Sequence, residues 1–148
     1  MFVLIVGSGR VGSAIAKQML AEGHEVSVLD EDPEAIALLN RDQTETWEEI
    51  GGRFTVGTAL EIDALLEAGI EQADAFVAST DGDNTNLVIA QIARRRFNVE
   101  RVVVRVLDPY RAKWYAEQGL QTVCPTQTAI ELLEAAVRGQ IKFEGVAG

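Results

Sequence analysis

Six residues near the start of the chain, Gly7-Ser8-Gly9-Arg10-Val11-Gly12, restrict its fold more than any other stretch. They follow an unbroken apolar run, Phe2 to Val6, and lead into a segment where Val11, Ala14, Ile15 and Met19 recur at helical spacing. An apolar run rich in β-branched residues suits a strand buried on both faces, as in a parallel sheet. Glycines spaced in this way between a strand and a helix each have a physical task. The first permits a tight turn, the second lets phosphate oxygens approach the backbone, and the third lets the helix pack closely on the strand. The helix start then presents unpaired N–H groups and the positive end of its dipole to an anion. Asp30 closes a second apolar run, Val26 to Leu29, eighteen positions after Gly12. A carboxylate there is placed to accept hydrogen bonds from ribose hydroxyls.

The rest of the chain repeats the alternation of strand and helix. Pro33 opens a helix to about Leu39, with Asp32 as its N-cap. The polar stretch from Asn40 to Arg53, with Trp47 in an acidic setting, reads as a loop holding at most one helical turn. Phe54 to Gly57 forms a short strand, and Ile62, Leu65 and Leu66 form the stripe of a helix ended by Gly69. Ala75 to Ala78 is a strand, followed by a helix capped within Asp81–Asn84 and carrying Leu87, Ala90 and Ala93 on one face. Val102 to Val104 with Val106 is a strand broken at Asp108-Pro109, and a short helix spans Ala112 to Glu117. Gln121 to Cys124 is the last strand, and Pro125 starts a final helix with Ile130, Leu133 and Val137 in register. Short connections and right-handed crossovers make this a Rossmann-like, doubly wound parallel sheet of six strands in the order 3-2-1-4-5-6. Residues 1–137 make up the nucleotide-binding domain, and 138–148 read as a linker or the start of a further segment.

Composition narrows the function. With 148 residues and a net charge of −10, the chain has the size of one domain and lacks the basic surface that a nucleic acid requires. Its one basic cluster, Arg94-Arg95-Arg96, falls at a helix end, where cations favour the dipole. A single cysteine, Cys124, excludes an internal disulfide and a thiolate metal cluster. The first apolar run is far shorter than the ~20 residues of a membrane span. Hydride-transfer enzymes need a proton donor or acceptor beside their substrate. The lone histidine, His24, precedes the second strand, and neither Tyr110 nor Tyr115 has a lysine four residues later. The dinucleotide-type unit also fills almost the whole chain, so no catalytic residue is assigned. An NAD-dependent oxidoreductase domain or fragment remains the alternative reading.

Ligands of such sheets bind outside the C-terminal ends of the strands, where the strand order reverses. The candidate binding set is therefore Gly7, Ser8, Gly9, Arg10, Val11, Gly12, Asp30, Glu31, Thr58, Ala59, Ser79, Thr80 and Arg105. Arg10 suits either a bidentate clamp on phosphate or a solvated loop position. The Asp30 carboxylate would repel a 2′-phosphate, which disfavours NADP and leaves NAD(H), ATP, ADP and AMP as candidates.

Four features resemble the N-terminal nucleotide-binding domain of regulators of potassium conductance, including the Trk and Ktr uptake regulators. They are the Gly7–Gly12 turn, Asp30, Gly57-Thr58-Ala59 followed by Leu65-Leu66-Glu67-Ala68-Gly69-Ile70, and Ala78-Ser79-Thr80 with Asp83 and Asn86. Thr58 and Leu60 stand where the family usually has aspartate and threonine. Pro125-Thr126-Gln127 lacks a glutamate that some relatives place beside ATP with a divalent cation, so no metal site is expected. The resemblance implies a regulatory subunit of a membrane potassium transporter or channel, at the cytoplasmic face of the membrane and working as a homodimer or an octameric ring. It also implies that Gly9 and Arg10 hold phosphates, Ala59 and its neighbours the adenine edge, and Arg105 the terminal phosphate. The exposed side of the last helix, Ile130 to Val137, is the expected dimer contact.

Overall fold

A computed structural model describes residues 1–145; the end of the expected linker, 146–148, lies outside the described residues. The strands are β1 (Phe2–Val6), β2 (Glu25–Asp30), β3 (Arg53–Val56), β4 (Ala75–Ala78), β5 (Arg101–Arg105) and β6 (Gln121–Val123). The helices are α1 (Arg10–Ala21), α2 (Ile36–Asn40), α3 (Ile62–Glu67), α4 (Asp83–Arg95), α5 (Pro109–Glu117) and α6 (Pro125–Val137). All pairings are parallel and the sheet order is β3-β2-β1-β4-β5-β6, as the alternation predicts. β1 therefore lies between β2 and β4, with Val6 opposite Leu29 on one side and Ala78 on the other.

Side chains of β1 alternate between two cores because successive strand residues point to opposite faces. Val3 and Ile5 join Val26, Val28, Leu39 and Trp47 on the α1–α2 face. Leu4 and Val6 join Leu65, Phe76, Leu87, Ile89 and Val104 on the face covered by α3, α4 and α5. Among the described residues, no helix is long and apolar enough to cross a membrane.

Several local expectations are corrected. In α1 the buried residues are Gly12, Ser13 and Ala16, while Val11 and Ala14 of the predicted stripe are exposed. Gly12 sits so close to the turn that an added Cβ would lie 1.8 Å from the Gly7 carbonyl oxygen. That contact fixes the roll of the helix and brings its small residues inward. In α3, Ala64 and Leu65 are buried and Leu66 is partly exposed, because Ala64 packs against Gly57. The N-cap of α4 is Gly82, within the expected Asp81–Asn84, and it makes no side-chain capping bond. Strand β6 ends at Val123, and Cys124 instead caps α6 by accepting from the Gln127 N–H at 3.4 Å.

The polar stretch before β3 forms turns, with one α-type bond from the Ile50 N–H to Thr46. Trp47 in its middle is fully buried. Its indole N–H donates to the Arg53 carbonyl at 3.0 Å, and its backbone N–H donates to Asn40 Oδ1 at 2.7 Å. An added Cβ at Gly52 would lie 2.1 Å from the indole, so that glycine lies flat on the ring.

Candidate functional site

The site begins with the turn after β1. Gly7 has φ +93°, in the left-handed region that favours glycine, and its N–H donates to the Leu29 carbonyl at 2.9 Å. Ser79, at the end of β4, is buried and donates its hydroxyl to the Gly7 carbonyl at 2.9 Å. The turn is thereby tied to both neighbouring strands. Gly9 differs from Gly7 and Gly12: a Cβ added there would meet nothing within 4 Å. Gly9 is also the N-cap of α1 and brings no side chain to its first amides. Neither conformation nor protein packing requires glycine at this position, and the space beside the amides is open.

Asp30 ends β2 facing the same turn. Its Oδ2 accepts from the Ser8 N–H at 2.8 Å and from the Ser8 hydroxyl at 3.2 Å, and its Oδ1 accepts from the Asp32 N–H at 2.9 Å. An ionised carboxylate offers about four acceptor directions, so one remains for a ligand hydroxyl.

These residues wall a cleft of about 680 Å³ at the C-terminal ends of the strands. Nine of the thirteen candidates line it: Gly7, Ser8, Gly9, Asp30, Glu31, Thr58, Ala59, Ser79 and Thr80. Arg10 and Val11 are exposed beyond its edge, and Gly12 serves helix packing behind it. Arg105 lies over the β4–α4 turn, donating to the Thr80 carbonyl at 3.4 Å, with its Nη1 3.8 Å from Asp81 Oδ1. Its Nε is buried without a hydrogen-bond partner among the described residues.

Sequence reasoning missed the contributions of Asp32, Glu34, Ala35, Leu38, Asp81 and Thr85 to the walls. The signal was present for four of them, since the segment after Asp30 must leave along the rim of the cleft. Among the described residues, the lining carries carboxylates at Asp30, Glu31, Asp32, Glu34 and Asp81 and no lysine or arginine. The first amides of α1 face this lining, and Arg10 and Arg105 stand at its margin.

The Asp-x-x-Asn spacing is a fastening between loops. Asp83 accepts from the N–H groups of Leu107 at 2.7 Å and Asp108 at 3.1 Å. Asn86 is fully buried, accepts from the Thr80 N–H and hydroxyl, and donates to the carbonyls of Thr80 and Arg105. Together they hold the ends of β4 and β5 at the cleft. His24 lies at the opposite rim of the sheet, 3.3 Å from the amino terminus.

Residues 3–126 match the model of the TrkA-N domain. The chain belongs to the TrkA-N family. It is 42% identical over 134 residues to the Trk system potassium uptake protein TrkA of Streptomyces coelicolor, covering 90% of this chain and 57% of that protein. Among solved structures, a Shewanella denitrificans Kef C-terminal domain in AMP-bound form aligns with TM-score 0.73 and 25% identity, covering 96% of this chain and 84% of that one. The GsuK structure bound to ADP aligns with TM-score 0.76 at 18% identity, covering 95% of this chain and 34% of that one, a likeness of fold. The chain thus spans under two thirds of its Streptomyces relative.

Proposed function

We propose that this TrkA-N domain is the nucleotide-binding part of a regulator of a membrane potassium transporter or channel, and that its cleft takes an adenine nucleotide. The observation that carries the reading is the cradle at Gly9, an uncapped helix start facing space that a single Cβ would begin to fill. Phosphates would lie against Gly9 and the first amides of α1, with Arg10 closing over them from outside. Asp30 would take a ribose hydroxyl with its remaining acceptor direction, and Thr58, Ala59 and Leu60 would meet the adenine. Arg105, with an unpartnered buried Nε, would turn toward the terminal phosphate. The same fold holds AMP in the Kef domain and ADP in GsuK, which supports the choice of nucleotide class.

Binding regulates a partner only through different affinities for two arrangements of the assembly. The two arrangements would be those of paired domains meeting through α6, in a homodimer or larger ring at the inner face of the membrane. No residue is proposed to act in catalysis.

Calorimetric titration with NAD, NADH, ATP, ADP, AMP and NADP tests the reading. At least one of the first five should bind, NADP should bind at least about tenfold more weakly than NAD, a gap of ~1.4 kcal/mol, and Asp30→Ala should remove most of the affinity. Tighter binding of NADP would sink the role given to Asp30, and an empty titration with all six would sink the reading itself.

A further inference from the structure

A second cavity, of about 470 Å³, lies between the C-terminal half of α4 and the end of α5. α4 starts at the cleft, where Gly82 and Thr85 line the wall, and its thirteen residues carry the chain about 20 Å away before Arg95. The second cavity is therefore at the far end of that helix and shares no residue with the first.

Its lining is unlike the rest of this acidic chain. Arg94 and Arg95 face it with Gln91, Gln118, Trp114 and Tyr115, and among the described residues no carboxylate lines it. Neither arginine is in an ion pair among the described residues. Arg94 donates to the Gly119 carbonyl at 2.9 Å, which fixes its position while leaving further N–H groups unused. The negative end of the α4 dipole accounts for cations at this helix end. It does not account for Trp114, whose bulk is 52% exposed beside them. The indole meets Tyr115 edge-on, with ring centroids 4.8 Å apart, so the pair forms a stiff aromatic wall. Guanidinium forks suit carboxylate or phosphate, and an exposed indole suits a planar ring. The volume lies within the roughly 300–1,000 Å³ range of small-molecule sites.

We infer that this cavity is a second ligand site, separate from the nucleotide cleft, for a small anion bearing a planar ring: the ring against Trp114 and the phosphate or carboxylate on Arg95, with Arg94 beside it. The inference does not depend on occupancy of the cleft. Trp47 is fully buried, so acrylamide quenching of the native chain reports chiefly on Trp114. AMP, phenyl phosphate and benzoate serve as probes, and inorganic phosphate is the ring-free control. At least one ring-bearing anion should shield Trp114 saturably, and comparison of phenyl phosphate with benzoate identifies the head group. The shielding should persist in Gly9→Ala, which obstructs the cleft, and weaken about tenfold in Arg95→Ala, the ~1.4 kcal/mol expected of one charge-assisted contact. Absence of saturable shielding with all three probes would overturn the inference. So would shielding that vanishes in Gly9→Ala, shielding untouched by Arg95→Ala, or equal shielding by inorganic phosphate. Failure of the native chain to bind any nucleotide in the cleft, with the shielding intact, would instead count against the proposed function alone.

Discussion

Gly9 and Gly12 stand three residues apart in one motif, yet they are glycine for opposite reasons. At Gly12 a methyl group would meet the Gly7 carbonyl at 1.8 Å, and a backbone atom cannot step aside cheaply. Gly12→Ala should therefore cost about 3 kcal/mol or more in chemical denaturation. Gly9→Ala places its methyl in open space at φ −68°, which alanine adopts freely, so stability should stay within about 0.5 kcal/mol while nucleotide affinity falls at least about tenfold. Equal losses of stability at the two positions would remove the distinction. Asn86 offers a further test at this scale. Its buried amide serves Thr80 and Arg105, and Asn86→Ala leaves those groups unsatisfied. A loss of roughly 2–3 kcal/mol in urea unfolding is expected, with nucleotide affinity reduced because the ends of β4 and β5 loosen.

Elements show where a local pattern stops being sufficient. The apolar spacing in α1 located a helix correctly, but its buried face is set by the Gly7–Gly12 contact and includes residues that hydropathy undervalues, Gly12 and Ser13. The stretch between α2 and β3 is polar by count, and one aromatic ring governs it. Trp47 joins the α1–α2 core and holds both ends of its segment through Asn40 and Arg53. Trp47→Ala should cost about 3–5 kcal/mol, read as a lower urea midpoint. A loss below about 1 kcal/mol would mean that the segment is held by its turns instead.

The whole molecule leaves one element without a complete partner. None of the thirteen residues of α6 is buried, and Leu133 and Val137 are 67% and 89% exposed. Pairing through this helix should appear in sedimentation as a dimer at micromolar concentration. Leu133→Asp with Val137→Asp should return it to a monomer that still unfolds cooperatively, with a melting temperature that no longer depends on protein concentration, since neither side chain supports the core; a wild-type monomer at high micromolar concentration would sink the pairing. The sequence by itself determined the fold class, the strand order and the end of the sheet where the cleft lies, because alternating apolar runs and a glycine turn are local signals that leave one parallel topology open. Nine of the thirteen candidate residues follow from that topology alone, since strand ends must meet where the order reverses. Only the tertiary structure decided which way α1 rolls, that Trp47 is core, that Asp83 and Asn86 fasten loops, and that the guanidinium of Arg105 rests on the β4–α4 turn. Each of these depends on a contact between residues distant in sequence or on a side-chain direction, and a one-dimensional pattern carries neither.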